Sequence, residues 1–374
     1  MSVTDLGSNI ERLRKGLSIK VKELCEQVEI SDTSYRNIRK GIHQPHSRTV
    51  KAIAKILKVS VFDLYKESPT LKTLRFRSNA SSDNEELQQK EIVFDVARKL
   101  EHYNELIELL GDKKRKSPQL VKLQKFFKKN KNIEVLAKEV RKLFELNESE
   151  PIVDICSLFE SRGGVHVFSV ASKLEYFWGA CLSEEDGGPA ICVNTRENIT
   201  IEKQIFTCAH ELGHLIMHSG QGKQTKEEID DEDRAADKFA GYFLAPLDAV
   251  KKKLQEARGL HFVDAIFHVK SHFNVSCLAM LYNVAETLGI EHDKLKLFFI
   301  ESYQGKFDKK WDWKKEPEGI PETRFKEDLL PLLVRRAYEA EKISISKAAE
   351  ILQLSLVEMR KIVAWWHLSG KLFK

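Results

Sequence analysis

No run of this 374-residue sequence is apolar for long enough to cross a bilayer, and its opening, MSVTDLGSNIERL, lacks the apolar core of a secretory signal. No membrane partner is therefore expected, and the expected location is the cytoplasm. Cysteine is sparse and scattered. Cys25, Cys156, Cys181, Cys192, Cys208 and Cys277 form no C-x-x-C pair, so neither a zinc ribbon nor a dithiol redox site is indicated, and in a reducing compartment they read as buried thiols. Cys208, two residues before His210, is taken as a core residue rather than a metal-switching thiolate.

What is present describes a globular chain of two to four domains, with 42% hydrophobic and 31% charged residues. The net charge of +5 is small but unevenly spread. Residues 1–66 carry thirteen Lys/Arg against seven Asp/Glu, and residues 111–142 carry twelve against three. Such blocks suit a polyanion, although a solvated helix face explains the second block equally well.

The stretch with most chemistry is FTCAHELGHLIMH, residues 206–218, in which His210, Glu211 and His214 make the H-E-x-x-H pattern. Residues four apart share a helix face, so His210 and His214 can present two imidazole nitrogens to one Zn2+ ion. Glu211, next to the first histidine, then sits beside the water position and can take its proton. His218 extends the spacing to i+8, but each step of four drifts round the helix, so it is expected as a packed or supporting histidine rather than a ligand. Zinc that keeps one position open for water needs a third protein ligand, and EEIDDEDRAADKFAGYFLAP downstream is the acidic segment at a suitable distance.

Periodicity gives the surroundings. Helices are expected over 9–15, 21–28, 32–40 and 48–57, closed by Val61-Phe62-Asp63-Leu64, with the tight turn of residues 25–31 setting one helix across the next in helix-turn-helix geometry. Residues 67–134 read as a connector: Pro69 and the polar run 78–84, a helix over 86–110, the basic loop 113–116, and further helical periodicity over 120–146. From Pro151 a helix over 152–161 and β-like runs at 165–170, 176–182 and 190–193 predict a small sheet before the motif helix. This order resembles zinc peptidases of the zincin kind, whose outer strand pairs with extended substrate, and the resemblance implies Tyr176-Phe177-Trp178-Gly179 as that strand. Helices follow at 246–257, 263–273 and 277–288. After a loop with Trp311, Trp313, Pro317 and Pro321, Ser344 or Ser346 caps a last helical unit that contains a second turn at Leu354-Ser355. In that unit Arg360 and Lys361 are expected to serve protein packing rather than DNA. The fold class is mainly α with a small β-sheet (α+β).

Two further resemblances sharpen this. Ile19, Leu24, Cys25, Ile30, Ser31, Tyr35, Ile38 and Gly41 fill the pattern of the Cro/phage-repressor (XRE) type of DNA-binding domain over about residues 8–66. That resemblance implies double-stranded operator DNA as partner, with Thr33, Ser34, Arg36 and Asn37 reaching base edges and Lys20, Lys22, Arg39 and Lys40 meeting phosphates. Val21 stands where the family often has Gln. It also implies a homodimer reading two half-sites.

Phe206, Thr207, Ala209–Gly213 and His214, followed by Ala236, Asp237, Phe239, Ala240, Leu244 and Pro246, resemble the ImmA/IrrE family of metallopeptidases, and KSHFNVS at 270–276 extends the likeness to about residues 135–300. Here Ile205 replaces the usual Arg, Asn283 stands where Arg is common, and Asp233 falls where the family's ligand Glu lies, with Glu232 beside it as the other choice. The resemblance implies zinc held by His210, His214 and Asp233, Glu211 as catalytic base, and a protein substrate, namely a helix-turn-helix repressor. The expected domains are 1–66, 67–134, 135–305 and 325–374. A second class of function stays open: a DNA-binding regulator or antitoxin-like protein whose peptidase-like domain is a sensor or partner surface without turnover.

Overall fold

The computed structural model describes residues 3–16, 19–57, 59, 61, 64–65, 71, 83–112, 117–218, 225–312 and 315–372. Phe62, Asp63, the polar connector at 67–82 apart from residue 71, the basic loop 113–116 and Trp313 lie outside the described residues. The chain forms two compact units. One holds the residues up to Leu110 together with Val334–Lys374, and the other is chiefly Gly111–Leu333. The stretch 67–134, read as one connector, is thus divided between them, and the C-terminal helices share a unit with the N-terminal ones.

In the first unit, α1 (Val3–Gly16), α2 (Val21–Val28), α3 (Asp32–Arg39) and α4 (Ser47–Ile56) surround Leu24, Tyr35, Ile38 and Ile53, each at most 2% exposed. The turn between α2 and α3 is made by chain chemistry. Glu29 adopts the left-handed conformation (φ 59°), the Ile30 amide donates back to the Cys25 carbonyl, and the Ser31 side chain accepts from the Ser34 amide to start α3. α5 (Asp83–Leu109) completes this part of the chain.

The second unit begins with α6 (Pro118–Lys129) and α7 (Ile133–Leu143). The helix expected over 152–161 is a short α8 (Ile155–Leu158) that widens into a π-turn at Phe159–Gly163. The sheet has the order β1-β3-β2: β1 (His166–Val170) runs parallel and β2 (Gly179–Leu182) antiparallel to the central β3 (Ala190–Asn194). β3 is buried at every residue, as a strand covered on both faces must be. The outer strand differs from the expectation. Only Gly179 of Tyr176–Gly179 lies in β2: the Phe177 amide bonds the Leu174 carbonyl in a turn, while the Trp178 carbonyl accepts from the Asn194 amide of β3 just before the strand begins.

α9 (Ile201–Met217) packs on β2 and β3 and on α6, and α10 (Lys226–Leu244) lies along α9. α11 (Leu247–Glu256), α12 (Phe262–Phe273), α13 (Cys277–Leu288) and α14 (His292–Phe307) close the core. α15 (Leu329–Glu339), α16 (Ile345–Ile351) and α17 (Leu356–Leu372) end the chain. Ser344 caps α16, while Ser355 and Glu358 bond each other's backbone amides to begin α17.

Two polar fixtures hold the second unit. The Lys270 ammonium, 1% exposed, lies 3.4 Å from Glu316 and 4.0 Å from Glu202 at the start of α9. Glu316 also accepts from the Cys277 amide, Glu202 from the Ile320 amide. Burial raises the Glu316 carboxyl above its ordinary range, against the opposing pull of Lys270. The second fixture is Asn283, whose amide donates at 2.8 Å to both the Gly241 and Ala245 carbonyls, tying α13 to the end of α10. The asparagine where the family commonly has arginine therefore serves as a helix-end clamp.

Candidate metal centre

Thr200 caps α9 by accepting from the Lys203 amide, and most of the helix beyond it is buried between the sheet, α6 and α10. His210 and Glu211, 2% and 8% exposed, are thereby fixed in the interior of the unit. α10 starts with a capping box between Thr225 and Glu228. Its acidic first half stays in or near solvent, whereas Ala236, Phe239, Ala240 and Phe243 are wholly buried.

The two helices meet at Gly213, where an added Cβ would lie 2.9 Å from Phe239 Cδ1 and 3.4 Å from Ala236 Cα. Only glycine permits that approach, and the approach carries Asp233 to the histidines. The Nε2 atoms of His210 and His214 are 3.0 Å apart, and Asp233 Oδ1 lies 3.1 Å from His214 Nε2 and 3.8 Å from His210 Nε2. Glu232 falls instead beside His214 and His218. Of the two acids left open by the sequence, Asp233 is the one that joins both motif histidines.

These donors suit zinc. Ligands about 2.0–2.1 Å from a tetrahedral Zn2+ stand about 3.3 Å from one another, and the three separations bracket that value. Two imidazole nitrogens at 3.0 Å that both present lone pairs repel each other unless a cation or proton lies between them. Their outer nitrogens are engaged: His210 Nδ1 lies 2.8 Å from Asp237 Oδ1, and His214 Nδ1 lies 3.0 Å from His218 Nδ1. With both Nδ1 atoms protonated, each Nε2 lone pair turns inward, the arrangement by which carboxylates and other acceptors orient metal-binding histidines. Burial alone would lower the His214 pKa. The hydrogen bond to Asp233 and the charges of Glu211, Asp233 and Glu232 outweigh it, so the imidazolium is held above its ordinary range.

Asp237 has a place in the family pattern, but its role as the partner of His210 was not read from the sequence; the signal was its position one helical turn after Asp233. Gly179 brings the outer strand to this helix, since a Cβ there would lie 2.6 Å from Thr207 Cγ2 and 3.4 Å from Glu211 Cγ. Tyr242 hydrogen-bonds Glu286, and burial with that carboxylate pushes its phenol up to about 12. Cys208 is wholly buried and its thiol is pushed well up by burial. Ile205, in the place of the family's Arg, is part of the core.

Residues 161–285 match the IrrE N-terminal-like domain family, and residues 10–64 match a helix-turn-helix family. The chain joins a helix-turn-helix domain to an IrrE N-terminal-like domain. No curated protein matches it. Among solved structures, PlcR of Bacillus thuringiensis, in complex with the peptide PapR7 and DNA, is 16% identical with a TM-score of 0.17, covering 82% of this chain and 95% of its own. ComR of Streptococcus suis is 13% identical with the same TM-score of 0.17, covering 99% of this chain and 96% of its own. Likeness at that TM-score bears on neither fold nor function.

In the helix-turn-helix domain, α3 buries Tyr35 and Ile38 and turns Thr33 and Arg36 to solvent, with Ser34 and Asn37 half-buried at its sides. Lys20, Lys22, Arg39 and Lys40 are exposed around it. The residues expected at base edges therefore share one helix, and those expected at phosphates flank it, as a helix entering the major groove requires.

Proposed function

We propose that the protein is a DNA-binding regulator whose IrrE-like domain is a zinc-dependent endopeptidase. The observation that carries this reading is the convergence of His210 Nε2, His214 Nε2 and Asp233 Oδ1 at 3.0–3.8 Å beside the buried Glu211. Zinc bound by these three residues would supply Lewis acidity and a fourth position open to water. Glu211 is the base: its carboxylate accepts the proton of the attacking water and later hands it to the leaving amine. Asp237 and His218 hold the imidazoles in the tautomer that faces inward. β2 is an edge strand that reaches Glu211 through Gly179, and its outer backbone groups suit an extended peptide.

The substrate is another protein, a helix-turn-helix repressor whose cleavage releases transcription in a phage, mobile-element or stress response. The chain's own helix-turn-helix domain would bring the peptidase to the operator where that repressor sits, with two copies of the chain reading two half-sites. Incubation of the protein, and of Glu211→Gln, with purified helix-turn-helix repressors tests this. A single specific cut by the unmodified protein and none by Glu211→Gln is expected. Cleavage that survives the substitution would refute the assignment of Glu211. No cleavage by a zinc-loaded protein would favour a regulator whose peptidase-like domain acts as sensor or partner surface.

A further inference from the structure

Residues 113–133 contain nine Lys/Arg and no Asp/Glu. The described part of this run is largely α6, whose two faces differ sharply. Leu120, Leu123 and Phe127 are buried, while Lys122, Lys125, Lys128 and Lys129 are all exposed. At about 100° per residue, Lys122, Lys125 and Lys129 fall within about 60° of one another, opposite the buried arc, and Lys128 adjoins them.

None of the four makes an ion pair among the described residues, whereas Lys138 on the next helix is neutralised by Glu134 at 2.9 Å and Asp248 at 2.8 Å. Favourable interaction with the helix dipole accounts for lysines in the last turn, here Lys128 and Lys129, but not for Lys122 and Lys125 nearer the start. The helix is also a fixed platform. Ser117 caps it by accepting from the Leu120 amide, and Gln124 donates at 2.9 Å to the Leu215 carbonyl of α9.

We infer that this face of α6 is a second contact for duplex DNA, binding the phosphate backbone without reading sequence. The charge is of one sign, regularly spaced along about 10 Å of helix, and uncompensated. Duplex DNA presents one negative charge per about 1.7 Å of its axis, so such a face meets several phosphates in any register. The helix-turn-helix domain in the same chain supplies that ligand at high effective concentration. The contact would add affinity and salt dependence but no base preference.

The test uses the full chain and a fluorescein-labelled duplex of about 30 base pairs, with affinity followed by anisotropy between about 50 and 200 mM salt. The fourfold variant Lys122→Gln, Lys125→Gln, Lys128→Gln, Lys129→Gln is compared with a control of equal charge change, Lys251→Gln, Lys252→Gln, Lys309→Gln, Lys310→Gln, at exposed positions elsewhere in the same unit. Each phosphate contact contributes about 0.9 to the slope of log K against log salt, so the α6 variant should be shallower by about 3 to 4 and the control nearly unchanged. Both variants should melt like the parent. A slope that falls by less than about 1 relative to the control overturns the inference. The same holds if the α6 lysines are needed for binding to phosphatidylserine vesicles while the DNA slope stays as it was.

Discussion

Replacing Gly213 by alanine should damage metal binding more than folding. The new Cβ would stand 2.9 Å from Phe239 Cδ1, where carbon atoms prefer about 3.5–4.0 Å, so α9 and α10 must part by about half an ångström or more. Phe239 cannot swing aside, because it is fully buried and stacked on Phe243 at 5.7 Å with an interplanar angle of 8°. Overpacking of this kind costs about 1–3 kcal/mol, and alanine returns about 1 kcal/mol in helix propensity, so the metal-free domain should lose at most about 2 kcal/mol. The metal site is less tolerant. Asp233 rides on α10, and ligand distances must hold to about 0.2 Å. A loss of at least tenfold in zinc affinity is expected, about 1.4 kcal/mol. Competition with a chromophoric chelator measures the affinity, and a thermal melt of the metal-free protein measures the stability. Parental zinc affinity in Gly213→Ala would refute the claim that helix approach at this glycine positions the third ligand.

Zinc affinity should fall with pH from above the ordinary histidine value of about 6.5, because His214 is held above it and must lose its proton to bind metal. In the metal-free protein the same shift has the opposite sense: His214 contributes stability that is fully present below about 6.5 and lost as pH rises through its raised folded value. Chelator competition between about pH 8 and 6 checks the first statement, and a flat affinity would contradict it. Lys270→Met removes the cation between Glu202 and Glu316, both largely or wholly buried, and should destabilise the second unit by about 3–5 kcal/mol. Denaturant unfolding reads that loss, and a change under about 1 kcal/mol would show that the pair is screened by water.

The elements carried by periodic apolar residues with capping chemistry were readable from sequence. α2 and α13 begin and end where expected, α13 because Ser276 accepts from the Ala279 amide and Gly289 follows in the left-handed conformation. The order of the sheet and the motif helix was likewise readable, as was the pairing of two histidines with an acidic helix. The aromatic run Tyr176–Trp178 misled because aromatic residues favour strands, while the turn to Leu174 decides their conformation. What remained hidden depends on distant partners. Asp237 lies in an acidic run in which no carboxylate stands out, Lys270 meets Glu316 across 46 residues, and α6 joins the IrrE-like unit through contacts such as Gln124 to Leu215, 91 residues apart. Local spacing marks Asp237 only as one helical turn after Asp233 and carries nothing of the other two.

The central claim is that His210, His214 and Asp233 form one zinc site with Glu211 beside it as base. Zinc content after loading and exhaustive dialysis tests it most directly, measured on the unmodified protein, Glu211→Gln, Asp233→Ala and Glu232→Ala. One equivalent in the first two and in Glu232→Ala, with strong loss in Asp233→Ala, is the result this account predicts. No stoichiometric zinc in the unmodified protein, or full retention in Asp233→Ala with loss in Glu232→Ala, would contradict it.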